Sequence, residues 1–284
     1  MITTGLIGGL GNQLFKIFAA MAYAMEYHHD FLFLYSKTLV AGTERPTYWD
    51  NFLKSLRKYT TPDPNVFNEY LRIYNMDHHY VPLPVPEPTK NYLIAGYCQS
   101  PKYFEEYKEK IFEMIQIRKH INNVREDYSQ YFGDGSTYLI AMHFRIGDYK
   151  HLQHSHNLLT HAYYEEALQY VMNAKKGENP TTVLYFVEKD DVSVAEETIR
   201  RLKERHPQIH FQLVDTSIPD WKQMLLISCC HSIIIANSTF SWWGAYFAPS
   251  PEVVCYPDHW FGPRLQYNNT NDMFLPSWVR IYAD

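Results

Sequence analysis

Cysteine is scarce in this chain of 284 residues: Cys98, Cys229, Cys230 and Cys255 are the four, and no pair forms Cys-x-x-Cys. That spacing excludes a zinc ribbon and a disulfide framework, so buried free thiols in a reducing compartment are expected. Positive charge is not in excess either. The formal net charge of −5 gives no general attraction to nucleic acid or anionic lipid. Long apolar runs are missing: the best, Leu14 to Met25, contains Lys16 and is too short to span a bilayer. No basic stretch precedes an apolar core at the N-terminus. A soluble, cytoplasmic protein with no membrane span is the expectation. Histidine is plentiful, at 14, yet the cluster His151, His154 and His156 has no carboxylate or cysteine at ligand spacing. Surface histidines and no metal are expected there.

Hydrophobic residues make up 46% and charged residues 20%, the balance of a globular protein long enough for two α/β domains. Ile2 to Ile7 reads as a buried strand, and the apolar residues from Leu14 to Met25 recur at helical spacing. Phe31 to Tyr35 reads as a second strand, which makes a β-loop-α-β start to a parallel sheet. The pattern is weak from Val40 to Thr89. Tyr92 to Tyr97 is strand-like again, and one helix is expected over Pro101 to Ile115. The turn-rich stretch Asp127 to Gly135 suggests a domain boundary, dividing the chain into 1–135 and 136–284. Beyond it, five apolar strands alternate with helical patterns from Tyr138 to Tyr256, which reads as a parallel α/β domain.

Ligands of open α/β sheets bind beyond the carboxyl ends of strands, and four such ends carry unusual residues. The first is Gly8 to Phe15, GGLGNQLF. A dinucleotide fingerprint needs glycine where Leu14 stands and an acid after strand two, where Tyr35-Ser-Lys37 has none. What survives is a glycine loop at a helix N-terminus, suited to an anion, with Asn12 as a donor. The second is His143 to Tyr149, HFRIGDY, where Arg145 suits a diphosphate and Asp148 suits orienting Arg145 or His143. The third is Asn237 to Ala245, NSTFSWWGA, in which Ser238 and Thr239 open a helix. Its Trp242 and Trp243 point about 100° apart and read as packing. The fourth is Val187 to Asp191, whose carboxylates suit a base or ribose. No Asp-x-Asp occurs, so anion stabilisation falls to Arg145 and helix N-termini.

Taken in order, GGLGNQLF, Tyr97 to Phe104, HFRIGDY, LTHAYYEEAL and NSTFSWWGA resemble the α-1,2-fucosyltransferases of glycosyltransferase family 11, from Gly8 to about Trp260. The resemblance implies a GT-B fold, with two Rossmann-like domains facing across a cleft. It implies inverting transfer of L-fucose from GDP-fucose to the 2-hydroxyl of a galactose-containing glycan, with no metal or other cofactor. Arg145 would hold the diphosphate, and the loop carrying Gly9, Gly11, Asn12 and Gln13 would meet the donor. Asn237, Ser238, Thr239 and Phe240 would line the nucleotide and phosphates, and one of Asp190 and Asp191 would read the guanine. Asp148 and His143 stand as candidate bases or as supports of Arg145. The alternatives are another nucleotide-sugar transferase on the same fold, or a non-catalytic sugar-nucleotide-binding module. The chain departs from the family pattern at Ile146, where a second arginine is usual, at Lys189-Asp-Asp191, where Ser-Asp-Asp is common, and at Cys98, often tryptophan.

Overall fold

The computed structural model describes residues 1–39, 44–75, 78–133 and 135–283. The weakly patterned stretch from Val40 and the turn-rich stretch Asp127 to Gly135 each lie partly outside the described residues. Contacts divide the chain into two units, Met1–Lys119 with Asn268–Leu275, and His120–Tyr267 with Pro276–Asp284. The division falls ahead of the expected boundary at 135. The later segment returns to the first unit because Asp272 is bonded there: Lys102 and the Tyr80 N–H (3.2 Å) donate to its carboxylate, and Ser100 Oγ donates to its carbonyl at 2.6 Å.

In the first unit, β1 (Ile2–Thr4), β2 (Leu71–Asn75) and β3 (Tyr92–Gly96) form a parallel sheet in the order β1-β3-β2. Helix α1 (Leu10–Glu26) packs on β1 and β3. It is buried over nearly its whole circumference, as a helix apolar all round must be, and Lys16 is buried with it. The expected strand at Phe31 to Tyr35 shrinks to Phe33–Leu34, which pairs with Thr60–Thr61, while Phe31 bridges Ile2. The expected helix over Pro101 to Ile115 is broken: two 3-10 turns precede α2 (Lys108–Met114), and α3 (Ile117–Asp127) follows. The break is at Phe104, whose backbone (φ −145°, ψ 0°) leaves the helical region so that its buried ring can pack edge-on against Phe18 at 5.4 Å.

In the second unit all strands are parallel: β4 (Tyr138–His143), β5 (Thr181–Phe186), β6 (His210–Leu213), β7 (Ser232–Ile234), β8 (Val253–Pro257) and β9 (Val279–Ile281). The spatial order is β6-β5-β4-β7-β8-β9, one strand more than the five expected. Helices α4 (His161–Ala174), α5 (Val192–Arg205), α6 (Asp220–Ser228) and α7 (Thr239–Phe247) fall where the periodicity places them. Every residue of β4 is buried, as in a central strand covered on both faces. Trp242 and Trp243 are fully buried, in agreement with a packing role. Both units are α/β and their main sheets are parallel, as expected; the first unit adds an antiparallel pair of Thr38–Leu39 with Arg45–Pro46. Among the described residues, no helix is long and apolar enough to cross a membrane.

Open α/β sheets bind ligands outside the carboxyl ends of strands, where the strand order reverses. In the second unit the chain winds outward from β4 through β5 and β6, then resumes on the other side of β4 with β7. The reversal lies at the carboxyl ends of β4 and β7, the position at which sheets of this kind form a crevice. In the first unit the corresponding reversal lies between β1 and β3, whose ends lead into the loops at Gly8 and Tyr97.

The turn after β3 depends on one glycine. Gly96 has φ +129°, and a Cβ there would lie 1.6 Å from the carbonyl oxygen of Asn75 on the neighbouring strand. Gly96→Ala should therefore cost roughly 3 kcal/mol or more. The checks are the soluble yield and the melting temperature, and an unchanged melting temperature would refute the close approach.

Candidate functional site

At the second unit's crevice, β4 delivers Arg145 just past its end. The guanidinium donates to Asp148 and to Glu188, and lies 4.9 Å from the ring centroid of Tyr149. The Tyr149 hydroxyl donates to the carbonyl of Asn237 at 3.2 Å, directly before α7. Tyr149 also stacks on His156, at 4.5 Å and 14° between planes, so this member of the histidine cluster packs against the site. One tyrosine thus ties the arginine to the helix N-terminus. Ser238 caps α7, its Oγ accepting from the Phe240 N–H at 3.3 Å, and Thr239 is the first helical residue.

Several residues named from the sequence are occupied in building the crevice. Asn237 is buried and donates to the carbonyls of Asn157 (2.9 Å) and Trp260 (3.2 Å), which closes the loop behind α7. Asp191 is buried, and its carboxylate accepts from the Gly147 N–H at 2.6 Å and from Lys150. Gly147 has φ +28°. Asp191 thereby holds the loop that carries Arg145, whereas Asp190 is exposed to solvent. His143 is buried beside Phe240, ring centroids 5.3 Å apart. Burial, with Arg145 nearby, holds its imidazole down at about 3. The ring is neutral at physiological pH and too weak a base to take a proton there. Ile146, at the position of the family's second arginine, is buried in the apolar cluster with Phe144.

In the first unit, Gly9 caps α1 and Gly11 lies in the first turn. Asn12 Oδ1 accepts from Gln99 Nε2 at 3.0 Å, which ties this turn to the loop after β3. Gln13 is fully buried and donates to the carbonyls of Gly8 (3.0 Å) and Pro46 (2.9 Å), a staple within the loop. Lys16 was not among the sequence candidates. Its ammonium donates to the Gly96 carbonyl and lies 5.9 Å from the Tyr97 ring centroid, joining α1 to the loop after β3. The available signal was a lysine one helical turn after Asn12 on an otherwise apolar helix. Cys98, in the same loop, is buried, and burial pushes its thiol up to about 12, so it is not a thiolate.

Burial lowers the pKa of Lys16, so the folded state releases this proton at a lower pH than the unfolded chain does. Between the two values the unfolded state binds more protons, and stability rises with pH. Denaturant unfolding from pH 8 to 10.5 should show a rising component in the wild type that is missing from Lys16→Met. Equal slopes for the two proteins would refute it.

A family model, Glycosyl transferase family 11, matches residues 2–282. The O-antigen biosynthesis glycosyltransferase WbnK of Escherichia coli is 27% identical over 316 residues, covering 97% of this chain and 99% of that protein. An alpha-1,2-colitosyltransferase of Escherichia coli is 30% identical over 190 residues, covering 66% of this chain and 61% of that protein. Among solved structures, POFUT1 in complex with GDP-fucose aligns at 11% identity with a TM-score of 0.45, over 89% of this chain and 97% of that one. The ADP-heptose heptosyltransferase II of E. coli aligns at 13% identity with a TM-score of 0.38, over 57% and 43%. The family match takes in both units and every site residue named above, and the chain belongs to glycosyltransferase family 11.

Proposed function

We propose that this glycosyltransferase transfers L-fucose from GDP-fucose to the 2-hydroxyl of a galactoside in a glycan, by single inverting displacement. The observation that carries the reading is the Tyr149 bridge. It links the Arg145 guanidinium to the turn before α7 at one topological switch point, which supports reading the two together as the groups that take the diphosphate. The acceptor oxygen attacks C1 of the sugar, the bond from C1 to the diphosphate oxygen breaks, and GDP leaves on the opposite face. Negative charge grows on the leaving oxygen, and Arg145 with the first N–H groups of α7 stabilises it without a metal ion. Asp190 is assigned to the guanine on the family resemblance. His143 is too buried and too weakly basic to act as base, and Asp148, ion-paired to Arg145 on the leaving-group side, is assigned to supporting that arginine. The four buried thiols suit a cytoplasmic setting.

A second reading is transfer of colitose, since a relative at 30% identity is an alpha-1,2-colitosyltransferase. One experiment separates the two. The protein is incubated with simple galactosides and a panel of donors that includes GDP-fucose, GDP-colitose and UDP-sugars, with and without EDTA. Nucleotide release and product linkage are then measured. Preferred release from GDP-fucose, an α-1,2 product and insensitivity to EDTA are expected. Preference for GDP-colitose moves the assignment to the second reading, and release from UDP-sugars alone overturns both.

A further inference from the structure

Arg145 does not present an open fork. One terminal nitrogen donates to Asp148 and the other to Glu188, so carboxylates hold the edge that a diphosphate would take. The two carboxylates differ in origin. Asp148 stands three residues after Arg145 in the same turn and moves with it. Glu188 comes from the exit of β5, and its side chain is 58% exposed, so it can swing into solvent without unfolding anything. The room it uses is specific: a Cβ on Gly147 would lie 2.9 Å from Glu188 Oε2. Within this cluster Arg145 and Lys150 face Asp148, Glu188 and Asp191, which leaves no surplus positive charge to draw a free anion.

We propose that Glu188 is an internal anion that competes with phosphate oxygens for Arg145 and so raises the binding threshold for every phosphate ligand, which a diphosphate with the added contacts of a nucleoside meets and free phosphate or pyrophosphate does not. The inference rests on reading Arg145 as the diphosphate ligand. A tethered carboxylate acts at an effective concentration of about millimolar or higher. A free anion at comparable concentration exchanges one charge-assisted bond for another and gains little. A diphosphate joined to a nucleoside brings further contacts, and these displace Glu188.

Inorganic pyrophosphate and GDP are titrated by calorimetry into wild type, Glu188→Gln and Glu188→Ala, with the ligand-free melting temperature as the control for folding. Pyrophosphate and GDP should each bind the variants about tenfold more tightly than wild type, because each displaces the same carboxylate. Adding Arg145→Ala to Glu188→Gln should abolish the gain. Unchanged or weaker pyrophosphate binding in folded variants overturns the proposal, because a glutamate that merely steadies Arg145 gives that result. The titration needs no sugar transfer. A protein that fails to use GDP-fucose yet tightens on pyrophosphate would lose the donor assignment and keep this one.

Discussion

Replacing Arg145 with alanine should lower kcat with GDP-fucose by about 10²-fold or more, the range for losing one preorganised donor to a developing oxyanion. KM for the donor should rise as well. In the wild type the guanidinium neutralises Asp148 and Glu188, and its removal leaves both carboxylates beside the diphosphate position. Arg145→Lys separates the contributions: it keeps the charge and loses the planar fork, so KM should recover further than kcat. Steady-state kinetics of the two variants, with melting temperatures as control, measure this. Near wild-type kinetics in the alanine variant would remove Arg145 from the chemistry and the displacement scheme with it.

The two units were not equally legible. In the second unit, apolar runs such as Val183 to Val187 and Ser232 to Ala236 are short, buried and bounded by helical patterns, so periodicity alone placed them. The missed strand β9 has three residues and follows Pro276 and Trp278 in irregular sequence, too short for a period to show. In the first unit, local pattern was overruled by tertiary packing. Phe31 to Tyr35 is apolar throughout, like a buried strand, yet only Phe33 turns fully inward, stacking on Trp49 at 5.5 Å. Phe104 broke the expected helix for the sake of its contact with Phe18. At the carboxyl end of β4, residue types single out Arg145 and Ser238-Thr239, and Tyr149 reaches from the arginine to the turn before that helix. Which carboxylate would turn inward was not readable. Asp190 and Asp191 are chemically equal in sequence, and the choice is made by a backbone N–H at Gly147, 44 positions away.

That choice yields the second large effect. Asp191→Ala should destabilise the ligand-free protein by about 2–3 kcal/mol. It leaves the Gly147 N–H without its acceptor, at about 1–3 kcal/mol for a buried donor, and strands the Lys150 ammonium. The ion-pair share is at the low end because Lys150 is 37% exposed. Asp191→Asn keeps an acceptor for Gly147 and loses only the charge, so it should fall between alanine and wild type. Because the same loop carries Arg145, kcat should drop along with stability in both variants, most in the alanine protein. A base-reading carboxylate behaves differently: its loss raises donor KM and leaves the ligand-free melting temperature unchanged. Asp190→Asn, at an exposed position, should show that second pattern if Asp190 reads the guanine. Melting temperatures without ligand, set beside kcat and KM for the three variants, assign the roles. A wild-type melting temperature in Asp191→Ala would return Asp191 to the nucleotide and leave the Arg145 loop without its anchor.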